Sequence, residues 1–206
     1  MSEAESADDV EAPLRALCAA QQWHDAATWI VARYGRELLT YVVAIARSET
    51  DGSEAFAQFT EDLWRGLPRF RWQSAARTWC YALARNALFR VRRTARRGSP
   101  LVALSDVPDV AALAEQVRSA TITYLRTQVK DAVAELREQL APDDQAILIL
   151  RIDRKLAWLD VARALADEDE EPSHDELVRH AAALRQRFVR IKSDLKKLLA
   201  PQLRER

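Results

Sequence analysis

From Arg69 to Gly98 the chain reads RFRWQSAARTWCYALARNALFRVRRTARRG, with Phe70, Trp72, Trp79, Tyr81 and Phe89 set among arginines. Backbone phosphates call for cations and unpaired bases for flat π-faces, so this mixture suits single-stranded or melted DNA better than an intact duplex. Arg71, Trp72, Gln73 and Ser74 precede a helical pattern and are candidate exposed contacts; Arg77, Arg85, Asn86, Arg90 and Arg93 follow along that helix. Asn86 carries an amide that serves a base edge or simply caps and packs. Trp79, Leu83 and Leu88 recur at helical spacing, which fits core positions better than base platforms.

A second group lies in LRQRFVRIKSDLKKLL, where Arg185, Gln186, Arg187, Arg190 and Lys192 stud one helix. Behind a short helix carrying Val161, Ala162 and Leu165 inward, it makes a helix-turn-helix candidate. Such a helix can enter a major groove, its arginines bidentate to guanine or fixed on phosphates. A helical hairpin with a solvated basic face fits the same pattern.

Ten arginines, no lysine and no acid lie between Arg65 and Arg97, whereas residues 1–64 hold twelve acids against four arginines. Ordinary surfaces intersperse the two signs, so this block predicts a polyanionic partner although the whole chain is neutral. Catalysis is not expected. The only histidines are His24, His174 and His180, the arginine block holds no carboxylate pair for a metal, and there is no glycine-rich phosphate loop. His174 and His180 stand near six acids without cysteines or tight ligand spacing, so neither a metal nor a cofactor is expected.

The elements that carry these residues read as all-α. Four glycines and seven prolines stand against abundant Ala, Leu, Arg and Glu, and sheets need more turns and β-branched runs. Residues 1–13 read as a disordered acidic tail and 14–98 as one small helical module. Residues 99–108, with two prolines and no periodicity, read as a linker, and 109–203 as a second module. In the first, helical spacing runs on from Leu14, with Trp29, Ile30, Tyr34, Leu38 and Tyr41 on one face. ETDG at 49–52 breaks it, Ser53 is the expected N-cap of the next helix, and Gly98 is the expected C′ residue of the arginine helix. In the second, Asp143 and Asp144 open a helix, and Ser173 with Glu176 has capping-box spacing. Cys18 and Cys80 have neither the number nor the spacing of a disulfide framework, which fits a reducing compartment. The start lacks the apolar core of a signal peptide and no apolar run reaches a membrane span, so a cytoplasmic protein without membrane contact is expected.

The segment PRFRWQSAARTWCYALARNALFRVRR resembles region 2 of bacterial sigma factors of the sigma-70 class, in the extracytoplasmic-function (ECF) group. LAPDDQAILILRIDRKLAWLDVARAL is similar to the start of their region 4, and LRQRFVRIKSDLKKLL to the recognition helix that follows. The resemblance implies a non-catalytic subunit that binds core RNA polymerase and directs it to promoter DNA. Region 2 would hold unpaired −10 bases through Arg71, Trp72, Gln73, Ser74, Arg77, Arg85, Asn86, Arg90 and Arg93. Region 4 would read the −35 duplex through Arg185, Gln186, Arg187, Arg190 and Lys192. The helix with Asp51, Ser53, Glu54, Gln58, Glu61 and Asp62 would face the β′ clamp helices, and the β flap is the further polymerase contact.

Two features depart from the family pattern. Asp51-Gly52-Ser53-Glu54 stands where an acidic D-A-E-D-like motif is usual. In some relatives a serine/threonine kinase supplies the missing charge, which makes Ser53, with Thr60 second, a candidate phosphorylation site adding about −1.5 to −2 charges. Ser53 as a plain N-cap is the alternative. ADEDEEPSHDELVRHAAA separates Leu165 from Leu184, where relatives use a few residues. Regulation by an anti-sigma factor, by the kinase or by the acidic insertion 166–176 is thus an expectation of the resemblance. An autonomous helix-turn-helix regulator and a sigma-like adaptor without initiation activity are the competing functions.

Overall fold

Apolar spacing sets the helices, and the computed structural model, which describes residues 10–97, 108–127, 137–166 and 172–202, contains eight of them and no strand among those residues. The chain is all-α. The first expected helix is two: α1 (Ala12–Ala19) and α2 (Trp23–Ala46), broken where Gln21 takes φ 56°. On α2, Ile30, Tyr34, Leu38 and Tyr41 are buried as their spacing predicts, and half-buried Trp29 meets Tyr34 edge-on at 5.7 Å.

Helix α2 ends at Arg47 in the left-handed region, φ 54°, and α3 (Glu49–Gly66) starts at once. Its N-cap is Ser48, whose hydroxyl accepts from the Asp51 N–H at 3.1 Å, so Ser53 is not the cap and lies within the second turn. Residues 49–52 form the first turn of α3, which corrects the expected break there. Gly52 serves helix packing instead: a Cβ on it would stand 2.5 Å from Val43 Cγ2 and 2.8 Å from Val43 Cα of α2. Only a residue without a side chain lets the two helices approach this closely.

A 3₁₀ turn (Leu67–Arg69) leads to α4 (Ala76–Arg97). Then come α5 (Pro108–Thr127), α6 (Pro142–Leu148) with a π turn (Ile149–Asp153), α7 (Trp158–Ala164) and α8 (His174–Gln202). Acids Asp143 and Asp144 open α6 as expected. The capping box before α8 also forms: Glu176 accepts from the Ser173 backbone N–H at 2.8 Å and from its hydroxyl at 2.7 Å, while the Ser173 hydroxyl accepts from the Glu176 N–H at 3.4 Å.

The packing crosses the expected module boundary. Helix α5 lies on α2 and α3, burying Val110, Ala114 and Ile122, while α6 packs on α2 and α7 on α4. One hydrophobic cluster runs from Leu14 through Tyr41, Phe59 and Leu88 to Leu148, Val161 and Ile191. Tyr41 and Tyr81 meet edge-to-face at 5.2 Å within it. Gly98, residues 99–107 of the expected linker, the acidic run 167–171 and residues 1–9 of the expected tail lie outside the described residues. The tail's inner end does not follow the expectation, since Glu11 is 2% exposed and α1 begins at Ala12. No helix among the described residues is long and apolar enough to cross a membrane.

Candidate nucleic-acid interface

The loop before α4 is an aromatic stack with one strained residue. Phe70 lies parallel to Trp79 of α4, with centroids 4.5 Å apart and an 18° interplanar angle, and Trp72 tilts onto Phe70 at 4.8 Å. The guanidinium of Arg15, on α1, covers Trp72 at 4.1 Å from its ring. Trp72 takes φ 56°, a conformation that costs a bulky residue about 1–3 kcal/mol and must be held by its surroundings. It is therefore half-buried and clamped rather than freely exposed. Gly66 makes room for the stack, because a Cβ there would come within 2.9 Å of the Trp79 ring. Gln73 is exposed, and the Ser74 hydroxyl donates to the Ala75 carbonyl at 3.2 Å.

Helix α4 receives its cap from far away. The Glu11 carboxylate accepts from the N–H groups of Ala76 at 2.7 Å and Arg77 at 2.9 Å, and from the Tyr34 hydroxyl at 3.2 Å. Glu11 occupies the N-cap position of α1, yet its side chain makes no cap bond there. This residue fixes the loop and the start of the arginine helix, and sequence reasoning missed it. Burial and the adjacent Glu11 push the Tyr34 hydroxyl well above its ordinary value.

The arginines separate into two classes. Arg77 pairs bidentately with Glu37 of α2 at 2.7 and 2.8 Å and donates to the Arg154 carbonyl at 3.2 Å; these hydrogen bonds hold its guanidinium protonated. Arg85, with its side chain 10% exposed, stands 3.7 Å from Asp143 of α6 and over the Phe89 ring at 4.5 Å. Arg90 pairs with Asp62 of α3, and Arg92 donates to the last-turn carbonyl of Ala46 at 2.8 Å. Arg65 pairs with Glu61 at 2.5 Å. Against these, Arg69, Arg71 and Arg93 are exposed. Sequence segregation of charge is thus largely undone in three dimensions, with Glu37, Asp62 and Asp143 supplied by other helices.

The C-terminal helices close over this face. Arg163 of α7 donates to the Gln73 carbonyl, and Thr78 donates to Asp160, whose carboxyl burial raises above its ordinary value. Between the loop and α7–α8 lies a cavity of about 390 Å³, walled by Phe70, Trp79 and Asn86 on one side and by Arg163, Ala166 and Leu177 on the other. On α8 itself, Leu177, Ala181, Leu184 and Ile191 are buried, while Arg185, Gln186, Arg190 and Lys192 are exposed. Arg187 points inward to Asp144 of α6 at 2.5 Å.

On α3, Asp51, Ser53 and Gln58 are half-buried and Glu54 is exposed. Glu61 is 5% exposed and paired with Arg65, so it faces the protein more than a partner. Asp62 accepts from Gln58 at 3.2 Å, and burial pushes its carboxyl above the ordinary value against the opposing pull of Arg90. Thr60 is 2% exposed with its hydroxyl on the Ala57 carbonyl at 2.7 Å, which shields it from any kinase while α3 is folded. Among the described residues no group of three or more His, Cys, Asp or Glu is arranged to hold a metal ion. Comparison of the chain with family models, with curated proteins and with solved structures gave no match.

Proposed function

We propose that this chain is a promoter-specificity subunit of bacterial RNA polymerase, of the ECF sigma type, acting in the cytoplasm without catalysis of its own. The observation that carries the reading is the pairing of two unlike surfaces on one chain. One is an aromatic and arginine loop at the mouth of a cavity, with Phe70, Trp72, Gln73 and Arg71 suited to unpaired bases and their phosphates. The other is an exposed row of Arg185, Gln186, Arg190 and Lys192 on α8, suited to a major groove. The first module's polymerase-facing role would fall to Asp51, Ser53, Glu54 and Gln58 on α3. Because Asp143 of α6 engages Arg85, and Glu37 of α2 with the Arg154 carbonyl engages Arg77, α6–α7 must move off α4 before Arg85 can reach DNA, and Arg77 must in addition leave Glu37.

Run-off transcription with bacterial core polymerase on a genomic promoter library tests the proposal, comparing no factor, the chain, and Ser53→Glu. Transcripts sharing a −35/−10 pair are the expected result, and transcripts with Ser53→Glu alone would assign the switch to a kinase. The reading fails if neither protein initiates. A second reading, an autonomous duplex-binding regulator, is favoured by one observation: in this closed arrangement the α8 cations are exposed while Arg77 and Arg85 are covered. Sequence-specific duplex binding without polymerase would select it.

A further inference from the structure

The outward face of α8 is ordered more finely than a basic row. Leu177, Ala181, Leu184 and Ile191 are buried, and at 3.6 residues per turn the line opposite them is Ala182, Gln186, Val189 and Ser193, all exposed. Val189, 61% exposed, is the most exposed large hydrophobic side chain among the described residues. Three exposed cations run down each side of this line, the two edges about a third of a turn apart. Arg185, Lys192 and Lys196 form one edge, and Arg179, Arg190 and Lys197 the other. Exposed Asp175 stands on the central line about one turn ahead of Arg179, so the basic stretch begins after it. Lys197 is paired with Asp194 at 3.1 Å, an exposed contact that a phosphate can displace.

A major groove about 12 Å wide just admits a helix about 10–12 Å across. Such a helix turns its two edges to the phosphate walls and its central line to the base edges. Arginine or lysine on that line would call for guanine, but here it carries an amide, a valine and two small side chains. Glutamine matches its donor and acceptor to adenine, and an apolar side chain meets the methyl group of thymine. Ala182 and Ser193 are short enough to let the helix sit close to the groove floor. One valine and one alanine are too little apolar surface for a protein or lipid partner, whose contact patches exceed about 300 Å². Six flanking cations fit a polyanion instead. We propose that α8 reads an A·T-bearing site, with Gln186 on adenine, Val189 on a thymine methyl group, and the six cations on phosphates rather than on guanine. This rests on α8 as a duplex-facing helix, which both readings of the function share, and it makes Gln186 and Val189 the residues that set specificity.

The test is selection from duplexes with a random core of two helical turns, about 20 base pairs, by the full chain alone and by the chain on core polymerase. The enriched duplexes should share adenine and thymine at fixed positions. Uracil, which lacks only the methyl group, then replaces each thymine of that site in turn. At one position it should weaken binding about fourfold for wild type and leave Val189→Ala unaffected. Gln186→Ala should bind the site about five- to a hundredfold more weakly and accept any base at the adenine position. Both side chains are exposed, so folding is not at stake. The proposal is overturned if every thymine tolerates uracil, if Val189→Ala keeps the wild-type sensitivity, or if the shared bases are guanines whose selection Arg185→Ala or Arg190→Ala removes. In those three cases a common sequence is still enriched and the duplex-facing reading stands, whereas no enrichment in either arm ends both. A change of Val189→Ala from dimer to monomer in sedimentation, with duplex binding untouched, overturns it too and gives the face to a second copy of the chain.

Discussion

Removing Glu11 should destabilise the chain by several kcal/mol, about 3–5. Its carboxylate takes two N–H groups at the start of α4 and the Tyr34 hydroxyl, at 2.7, 2.9 and 3.2 Å. An ordinary N-cap contributes about 0.5–2 kcal/mol, and a buried charge-assisted hydrogen bond about 1.5–3. In Glu11→Ala the Ala76 N–H and the Tyr34 hydroxyl are stranded at sites 0% and 5% exposed, and each stranded group costs about 1–3 kcal/mol. Non-additivity within one cluster keeps the sum near 3–5 kcal/mol, roughly a third or more of a typical domain's stability. Glu11→Gln keeps an acceptor oxygen and loses the charge, so about half that loss is expected. Urea unfolding followed by circular dichroism reads both, with exposed Glu54→Ala as a control near zero. Tryptophan emission adds a local readout, since Trp72 and Trp79 sit on the loop that Glu11 anchors. Should Glu11→Ala lie within about 0.5 kcal/mol of wild type, the long-range cap contributes nothing and the reasoning fails.

Gly52→Ala should destabilise by about 1–3 kcal/mol through overpacking against Val43, and Val43→Ala should relieve only part of it, because the Val43 Cα is also within 2.8 Å; thermal melts of the two single variants and the double variant decide. Arg77→Met should cost about 1–3 kcal/mol and leave Glu37 with only the more distant Arg154 guanidinium at 3.8 Å, so a cycle with Glu37→Gln should show coupling, and simple additivity would contradict the bidentate pair. The Ser173 hydroxyl and backbone N–H lower the Glu176 carboxyl below its ordinary value, so the stability it lends α8 is present above the unfolded value of about 4.3 and is lost as pH falls through the folded one. Carboxyl titration by NMR should show this depression, and Ser173→Ala should reduce it to the part that the residue-173 backbone N–H still supplies. Binding of single-stranded DNA to the closed chain should follow salt with a slope near −2, about −0.7 for each of Arg69, Arg71 and Arg93, and Asp143→Asn should steepen it by freeing Arg85. An unchanged slope would place Arg85 outside the DNA path.

Period and local capping made part of this molecule legible from its sequence. The buried face of α2 follows from Ile30, Tyr34, Leu38 and Tyr41 at helical spacing, and Ser173 with Glu176 forms the capping box that their three-residue separation predicts. Where the deciding contact is distant in the chain, spacing carries no signal. Glu11 reads as the end of an acidic tail, but its energy lies in N–H groups 65 and 66 residues away. Gly52 reads as turn punctuation because glycine favours turns, whereas its missing Cβ admits Val43 of the preceding helix. Of the site, the loop and the outward row on α8 were visible as residue types in order. The covering wall from Arg163, Ala166 and Leu177 was not, because nothing local says that α7 lies over α4.

The arginine block shows the same limit in its energetic form. A run of one sign along the chain implies a polyanion only if the opposite charges stay away in space, and helices bring residues 40 or 77 positions apart into contact. Glu37 reaches Arg77 from α2, Asp62 reaches Arg90 from α3, and Asp143 approaches Arg85 from α6. On the proposed function these carboxylates compete with phosphates for the arginines, and their holds differ in strength. The Arg77 pair is bidentate with both side chains less than a third exposed, so a phosphate must displace a well-made fork; the Arg85 contact is 3.7 Å with Asp143 half exposed, a weak hold. Opening is therefore graded. Arg69, Arg71 and Arg93 already face solvent, Arg85 is released by moving α6, and Arg77 also needs Glu37, on its own side of the interface, to yield. On the proposed function, a strand that first meets the exposed three would engage Arg85 next and Arg77 last.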